Sequence, residues 1–154
     1  MDMSTYIIGT WQCDQRFWPG ARARDLSLVY QRAFAEGFST FDTAEIYVGA
    51  ERLLSRALGP KINQAVILDK VFCHHLRYDA LIDACHQSLK RLDRDWIDLY
   101  QIHWPSGTDS GPKVPIEESL QAMIDLKKSG KIRGIGLSNF TLDQLIGACE
   151  FTTI

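Results

Sequence analysis

Short apolar runs and helix-period segments alternate five times along this chain, and that rhythm restricts its fold more than any other feature. Tyr6–Thr10 reads as a strand. Asp25–Glu36 follows as a helix, with Leu26, Val29, Tyr30, Ala33 and Phe34 on one face and Gly37 as its stop. Phe38–Asp42 is the next strand, and Gly49–Leu58 a short helix closed by Gly59-Pro60. Ala65–Asp69 has the continuous apolar character of a strand covered on both faces. Tyr78–Leu92 then carries Leu81, Ile82, Cys85, Leu89 and Leu92 at helical spacing. Strand Trp96–Ile102, a Gly/Pro-rich loop at Ser106–Pro115 and helix Ile116–Ser129, ended by Gly130, come next. Strand Ile132–Leu137 and helix Thr141–Cys149, with Thr141 as N-cap, complete the fifth unit. Phe151–Ile154 reads as the opening of a sixth strand.

Units of this kind build a parallel sheet covered by helices, either open and doubly wound or closed as a (β/α)8 barrel. Two features favour the barrel. No G-x-G-x-x-G follows the first strand, where a dinucleotide-binding open sheet carries it. The chemically capable residues instead follow several different strands, at Asp42, Lys70, His103 and Ser138-Asn139, as they do on the C-terminal face of a barrel. Such barrels take ~250 residues to close, and this chain has 154. The expected fold is therefore α/β, an incomplete (β/α)8 barrel of five βα units plus the start of a sixth strand, with residues 1–154 as one partial domain.

Composition excludes several classes of function. Hydrophobic residues make up 45% and charged residues 23%, values of a globular protein rather than a disordered or membrane one. With a net charge of -2 and both signs interspersed, neither a nucleic-acid nor a membrane partner is expected. The start, MDMSTYIIGTW, lacks the pattern of a secretory signal. Cys13, Cys73, Cys85 and Cys149 have no disulfide-scaffold spacing, so a reduced, cytoplasmic protein is expected. Cys73-His74-His75 and Cys85-His86 suggest a metal cluster at first sight, but Cys85 shares the helix face of Leu81 and Leu89 and the spacing fits no zinc pattern. No metal is expected. His74 and His75 are placed after the third strand, within reach of substrate at the pocket mouth. Lys127, Lys128, Lys131 and Arg133 read as a solvated helix end that complements its dipole, and Trp96 as packing.

Asp42, Tyr47, Lys70 and His103 make a proton-donating constellation. A phenol titrates near ~10, and a neighbouring ammonium favours its phenolate. Lys70 is therefore expected to lower the pKa of Tyr47, with Asp42 holding Lys70 charged and in place. His103 is positioned to donate a hydrogen bond to a substrate carbonyl. Hydride has to come from a cofactor, since no side chain supplies one. Each residue also has a plain alternative: Asp42 as a turn cap, His103 as a core histidine bonded to backbone, and a lone Tyr or Lys as a structural or solvated group.

The segments FDTAEIYVGAERLLSRAL, DWIDLYQIHWP and GKIRGIGLSNF resemble the aldo-keto reductase family, and the resemblance runs through nearly the whole chain. It implies that Asp42, Tyr47, Lys70 and His103 are a catalytic tetrad with Tyr47 as proton donor. It further implies that Gly9, Thr10 and Trp11 line the nicotinamide end of the pocket, that Asp42 borders the cofactor, and that Ser138 and Asn139 hydrogen-bond its carboxamide. Trp104 becomes a wall of the substrate pocket beside Tyr47 and His103. The implied reaction is NADPH-dependent reduction of an aldehyde or ketone, the implied partner a small carbonyl compound. Only MDMSTY precedes IIGTW, where the family places a hairpin, and the chain stops at Ile154, where its sixth strand would begin. The family's later cofactor contacts are a Gln on the sixth strand, an aromatic on the seventh and the phosphate-gripping loops. They fall outside this sequence. A C-terminally truncated member is thus expected, weakly active or inactive alone and prone to self-association through open sheet edges. The competing expectations are a reductase-like binding or regulatory module and a truncated gene product.

Overall fold

In the computed structural model, which describes residues 3–154, five strands form one sheet in the order β1-β2-β3-β4-β5, with every neighbouring pair parallel. The strands are β1 (Ile7–Gly9), β2 (Thr40–Asp42), β3 (Val66–Val71), β4 (Ile97–Ile102) and β5 (Ile132–Leu137). The helices α1 (Ala23–Ala35), α2 (Ala50–Leu58), α3 (Tyr78–Leu92) and α4 (Ile116–Lys128) connect successive strands, and α5 (Leu142–Phe151) follows β5. Spatial order equals chain order throughout. A doubly wound sheet reverses that order at a switch point; a barrel does not.

Strand alternation divides the sheet into two faces. Phe41, Ile67, Tyr100 and Ile135 turn toward the helices and meet Tyr30, Leu54, Leu81, Leu120 and Met123, all at most 3% exposed, in a single core. The other face carries Asp42, Lys70 and Gln101, the last two lying side by side in register. There Gln101 lies against Gly136, where a Cβ would come within 2.7 Å of Gln101 Cγ, so the bare glycine makes room for the glutamine.

Charged groups around the buried Asp98 tie the strand starts together. Asp98 accepts from Ile67 N–H at 3.0 Å, from Arg94 Nη2 at 3.0 Å and from Arg133 Nη1 at 2.9 Å. Both guanidinium groups also sit against the Trp96 ring, Arg133 at 4.4 Å and Arg94 at 5.0 Å from its centroid, which gives Trp96 its packing role. Arg133 thereby serves an ion pair, while Lys128 pairs with Asp125 at 3.2 Å.

Helix α5 begins with a capping box, Thr141 Oγ1 accepting from Gln144 N–H while Gln144 Oε1 accepts from Thr141 N–H. It runs two residues past the expected end. The sixth strand expected at Phe151–Ile154 does not form: Phe151 closes α5, whose final turn its backbone continues, and residues 152–154 join no strand. Four short 3-10 helices, at Trp11–Cys13, Gly59–Gln64, Cys73–His75 and Thr108–Ser110, run for three to six residues and are too short to leave a periodic signal. Among the described residues no helix is long and apolar enough to cross a membrane.

Candidate active site

Asp42 ends β2, Lys70 is the fifth residue of β3, and His103 directly follows β4, so the parallel register brings all three to one end of the sheet. His103 N–H is fixed there by Val71 C=O at 2.9 Å. Tyr47 comes from the loop after β2, which Thr43 N–H to Leu68 C=O (2.8 Å) and Glu45 N–H to Lys70 C=O (3.1 Å) fold back along β3. Glu45 adds a side-chain clamp. Its carboxylate accepts from Phe72 N–H and lies 3.1 Å from His75 Nδ1.

Lys70 is 6% exposed, and its ammonium is fully engaged. Nζ meets Asp42 Oδ1 at 2.7 Å and Oδ2 at 2.8 Å, and donates to Thr43 C=O at 2.8 Å. The same Nζ lies 5.1 Å from the centroid of the Tyr47 ring. His103 meets that ring edge-on, with centroids 5.6 Å apart. Trp11, Phe72 and Trp104 complete the aromatic surround, at 6.5 Å from Tyr47 and at 6.3 and 6.4 Å from His103 respectively. A pocket of about 340 Å³ opens between these rings. A roomier cleft of about 580 Å³ lies elsewhere, near Asn63, Asp93 and Lys131, and holds none of the four residues.

The electrostatics correct one expectation. Tyr47 is pushed up to about 12, not down, first by burial and then by the negative charges of Asp42 and Asp69. Lys70 does not offset these effects: its ammonium is paired with Asp42 and faces the ring as a cation on a π-system. His103 is pushed down to about 4 by burial and by Lys70, so its ring is neutral at pH 7 and has one N–H to give. Asp69 is wholly buried on the helix face of β3, and its carboxyl is pushed well up from the usual carboxylate range, first by burial and then by the charge of Glu51.

The cofactor candidates gather at the same end. Thr10 is fully buried and Thr10 N–H donates to Asp42 C=O at 2.9 Å. Asn139, in the left-handed region at φ 62°, donates from Nδ2 to His103 C=O at 2.8 Å and to Ser138 Oγ at 3.1 Å. Trp11 and Trp104 both line the pocket; His74 and His75, expected at its mouth, do not. Their rings turn instead to Asp109 C=O, at 2.8 Å from His74 Nε2, and to Glu45. Reading the sequence missed Phe17, Phe72 and the Asp14–Arg16 ion pair (2.6 Å), all of which line the pocket. Their only signal is position, in loops that follow β1 and β3. Among the described residues no group of three or more His, Cys, Asp or Glu gathers to hold a metal.

The sequence model of the Aldo/keto reductase family matches residues 6–151. The chain belongs to the aldo/keto reductase family. Aldo-keto reductase YhdN of Bacillus subtilis (strain 168) is 33% identical to it, over 94% of this chain and 46% of that protein. Methylglyoxal reductase DkgB of Salmonella typhi is 40% identical over 69% of this chain and 39% of its own length. Among solved structures, an aldo-keto reductase from Klebsiella pneumoniae in complex with NADPH superposes with a TM-score of 0.81 and 28% identity, covering 96% of this chain and 49% of that one. The chain spans about half the length of the relatives it matches, and its five-stranded parallel sheet fits an incomplete (β/α)8 barrel.

Proposed function

We propose that this domain, residues 1–154, carries the proton-delivering half of a carbonyl reductase site, with NADPH as the reductant and a small aldehyde or ketone as substrate. The observation that supports this most is the convergence of two neutral donors, the Tyr47 hydroxyl and a His103 N–H, on one pocket beside the Lys70–Asp42 pair.

The residues present suit a nicotinamide group. Ser138 Oγ accepts from Asn139, which leaves its hydroxyl proton free, and Asn139 Oδ1 makes no hydrogen bond among the described residues. One donor and one acceptor side by side match a carboxamide. Thr10 Oγ1 and His103 Nδ1 are buried without partners, and a Cβ on Gly9 would meet nothing within 4 Å, so polar groups and space coincide there. Gly9, Thr10, Trp11, Asp42, Ser138 and Asn139 would hold this end of NADPH, which when bound supplies the hydride.

The side chains do the rest. His103 holds the carbonyl oxygen by its N–H, and Tyr47 gives that oxygen its proton as the carbonyl becomes an alcohol. Asp42 holds the Lys70 ammonium in place against the face of the Tyr47 ring. Trp11, Phe72 and Trp104 restrict water. A pocket of about 340 Å³ suits a small substrate, and methylglyoxal, named for the Salmonella relative, is the compound to try first. Four free cysteines accord with a cytoplasmic setting.

Titration with NADPH, followed by quenching of intrinsic fluorescence, tests the cofactor assignment. Saturable binding that weakens about tenfold or more in Asn139→Ala is expected. Absence of binding, or equal affinity in the variant, contradicts it.

A further inference from the structure

A second cleft, of about 520 Å³, lies between α1 and α2. Its walls are the segments around residues 20–26 and 48–56, and no Asp or Glu lines it. The loop carrying Tyr47 separates it from the catalytic pocket: Ile46 and Tyr47 face that pocket, while Val48 and Gly49 face this cleft. Three guanidinium groups reach it, from Arg22, Arg52 and Arg56. Arg52 and Arg56 are one turn apart on α2, hence on the same side of the helix, and among the described residues neither pairs with a carboxylate. Arg22 meets Asp25 through Nε alone, at 2.6 Å. Across α2, a smaller cleft of about 320 Å³ shares Arg52 and Arg56 and adds Lys90 and Arg91, again with no acidic residue. A chain with a net charge of -2 has thus gathered positive charge along one ridge, where Arg22 pairs with Asp25 and Arg91 with Glu51 while Arg52 and Arg56 have no carboxylate partner among the described residues.

We propose that the cleft between α1 and α2 is an anion-binding site for a small phosphate ester, distinct from the catalytic pocket. Guanidinium forks match phosphate oxygens bidentately, and three of them around one concavity fit a dianion better than a lone carboxylate. Leu26, Val48 and Leu53 give the cleft an apolar part to its lining, which suits a phosphate carried on an organic body rather than the free ion. A ligand seated here touches Val48 and Gly49, which immediately follow Tyr47, and Ala50 N–H bonds Tyr47 C=O at 2.9 Å. Occupancy therefore reaches the segment that carries Tyr47. The proposal does not rest on the reductase reading, because it is tested by binding alone.

Phenyl phosphate, titrated into the full chain and followed by backbone amide shifts, is the test. Saturable shifts confined to residues 20–26 and 48–56 are expected, weakening with salt, with no response to benzyl alcohol. The double variant Arg52→Gln/Arg56→Gln should lose affinity at least tenfold. Both side chains are exposed and glutamine is a good helix former, so the fold is retained. Arg22→Gln, placed at the N-cap of α1, provides a second reading through a smaller loss. Shifts centred on Trp11, His103 and Asn139, unchanged affinity in both variants, or no saturable binding overturns the proposal.

Discussion

Lys70 spends its charge on Asp42, and this decides what the neighbouring residues can do. With the ammonium neutralised, burial sets the Tyr47 equilibrium, and the phenol stays protonated, at about 12. That suits a donor, which must keep its proton until substrate takes it. Sequence alone revealed the residue types and their strand-end positions. It did not reveal that Asp42 would grip Lys70 with both oxygens or that Asp69 would lie close enough to Tyr47 to matter, because both depend on distances across the sheet. His103 gives the sharpest expectation at this scale. Its pKa falls from 6.5 unfolded to about 4 folded, so between those values the unfolded chain binds a proton that the folded one refuses. Stability should therefore drop as pH falls from 6.5 to 4, by on the order of 3 kcal/mol from this residue. Urea melts at pH 7 and pH 4.5 should show that loss shrinking in His103→Gln, and an identical pH dependence in the variant contradicts the assignment.

At the scale of elements, the periodic pattern carried most of the information. Tyr78–Leu92 and Ile132–Leu137 form as read, because each pairs a clear period with a firm boundary signal. Phe151–Ile154 failed for the opposite reason: four residues of mixed character hold no period, and the capped helix before them extends into Phe151. Two changes probe what the elements add. Thr141→Ala removes the acceptor at the start of α5 and should cost about 1 kcal/mol in a urea melt. Gly136→Ala should cost about 1–3 kcal/mol by pressing on Gln101 across the β4–β5 pair. Gln101→Ala in the same chain should restore most of that loss. No rescue means that Gln101 is not what Gly136 accommodates.

For the whole molecule, strand order equal to chain order leaves β1 and β5 each with one unpaired side among the described residues. Apolar side chains flank both edges: Leu28 and Val29 on α1 are 55% and 54% exposed, and Leu142 and Ile146 on α5 are 71% and 52% exposed. Unpaired strand edges beside exposed apolar surface favour association. Sedimentation velocity across the micromolar range should show mass rising with concentration, reduced by Leu142→Lys/Ile146→Lys; a monomer throughout contradicts this. The barrel class was legible from five βα units and the missing glycine fingerprint, whereas the aromatic pocket wall from Phe17 and Phe72 was not, since loop residues declare no partners in sequence.

Turnover with NADPH and methylglyoxal, compared between the wild-type chain and Tyr47→Phe at matched NADPH occupancy, tests the central claim most directly. The wild type should oxidise NADPH slowly but measurably, while Tyr47→Phe binds NADPH equally and loses roughly a hundredfold or more of that rate. Equal rates in the two proteins, or no turnover by wild type with NADPH bound, would contradict the role of Tyr47 as proton donor in carbonyl reduction.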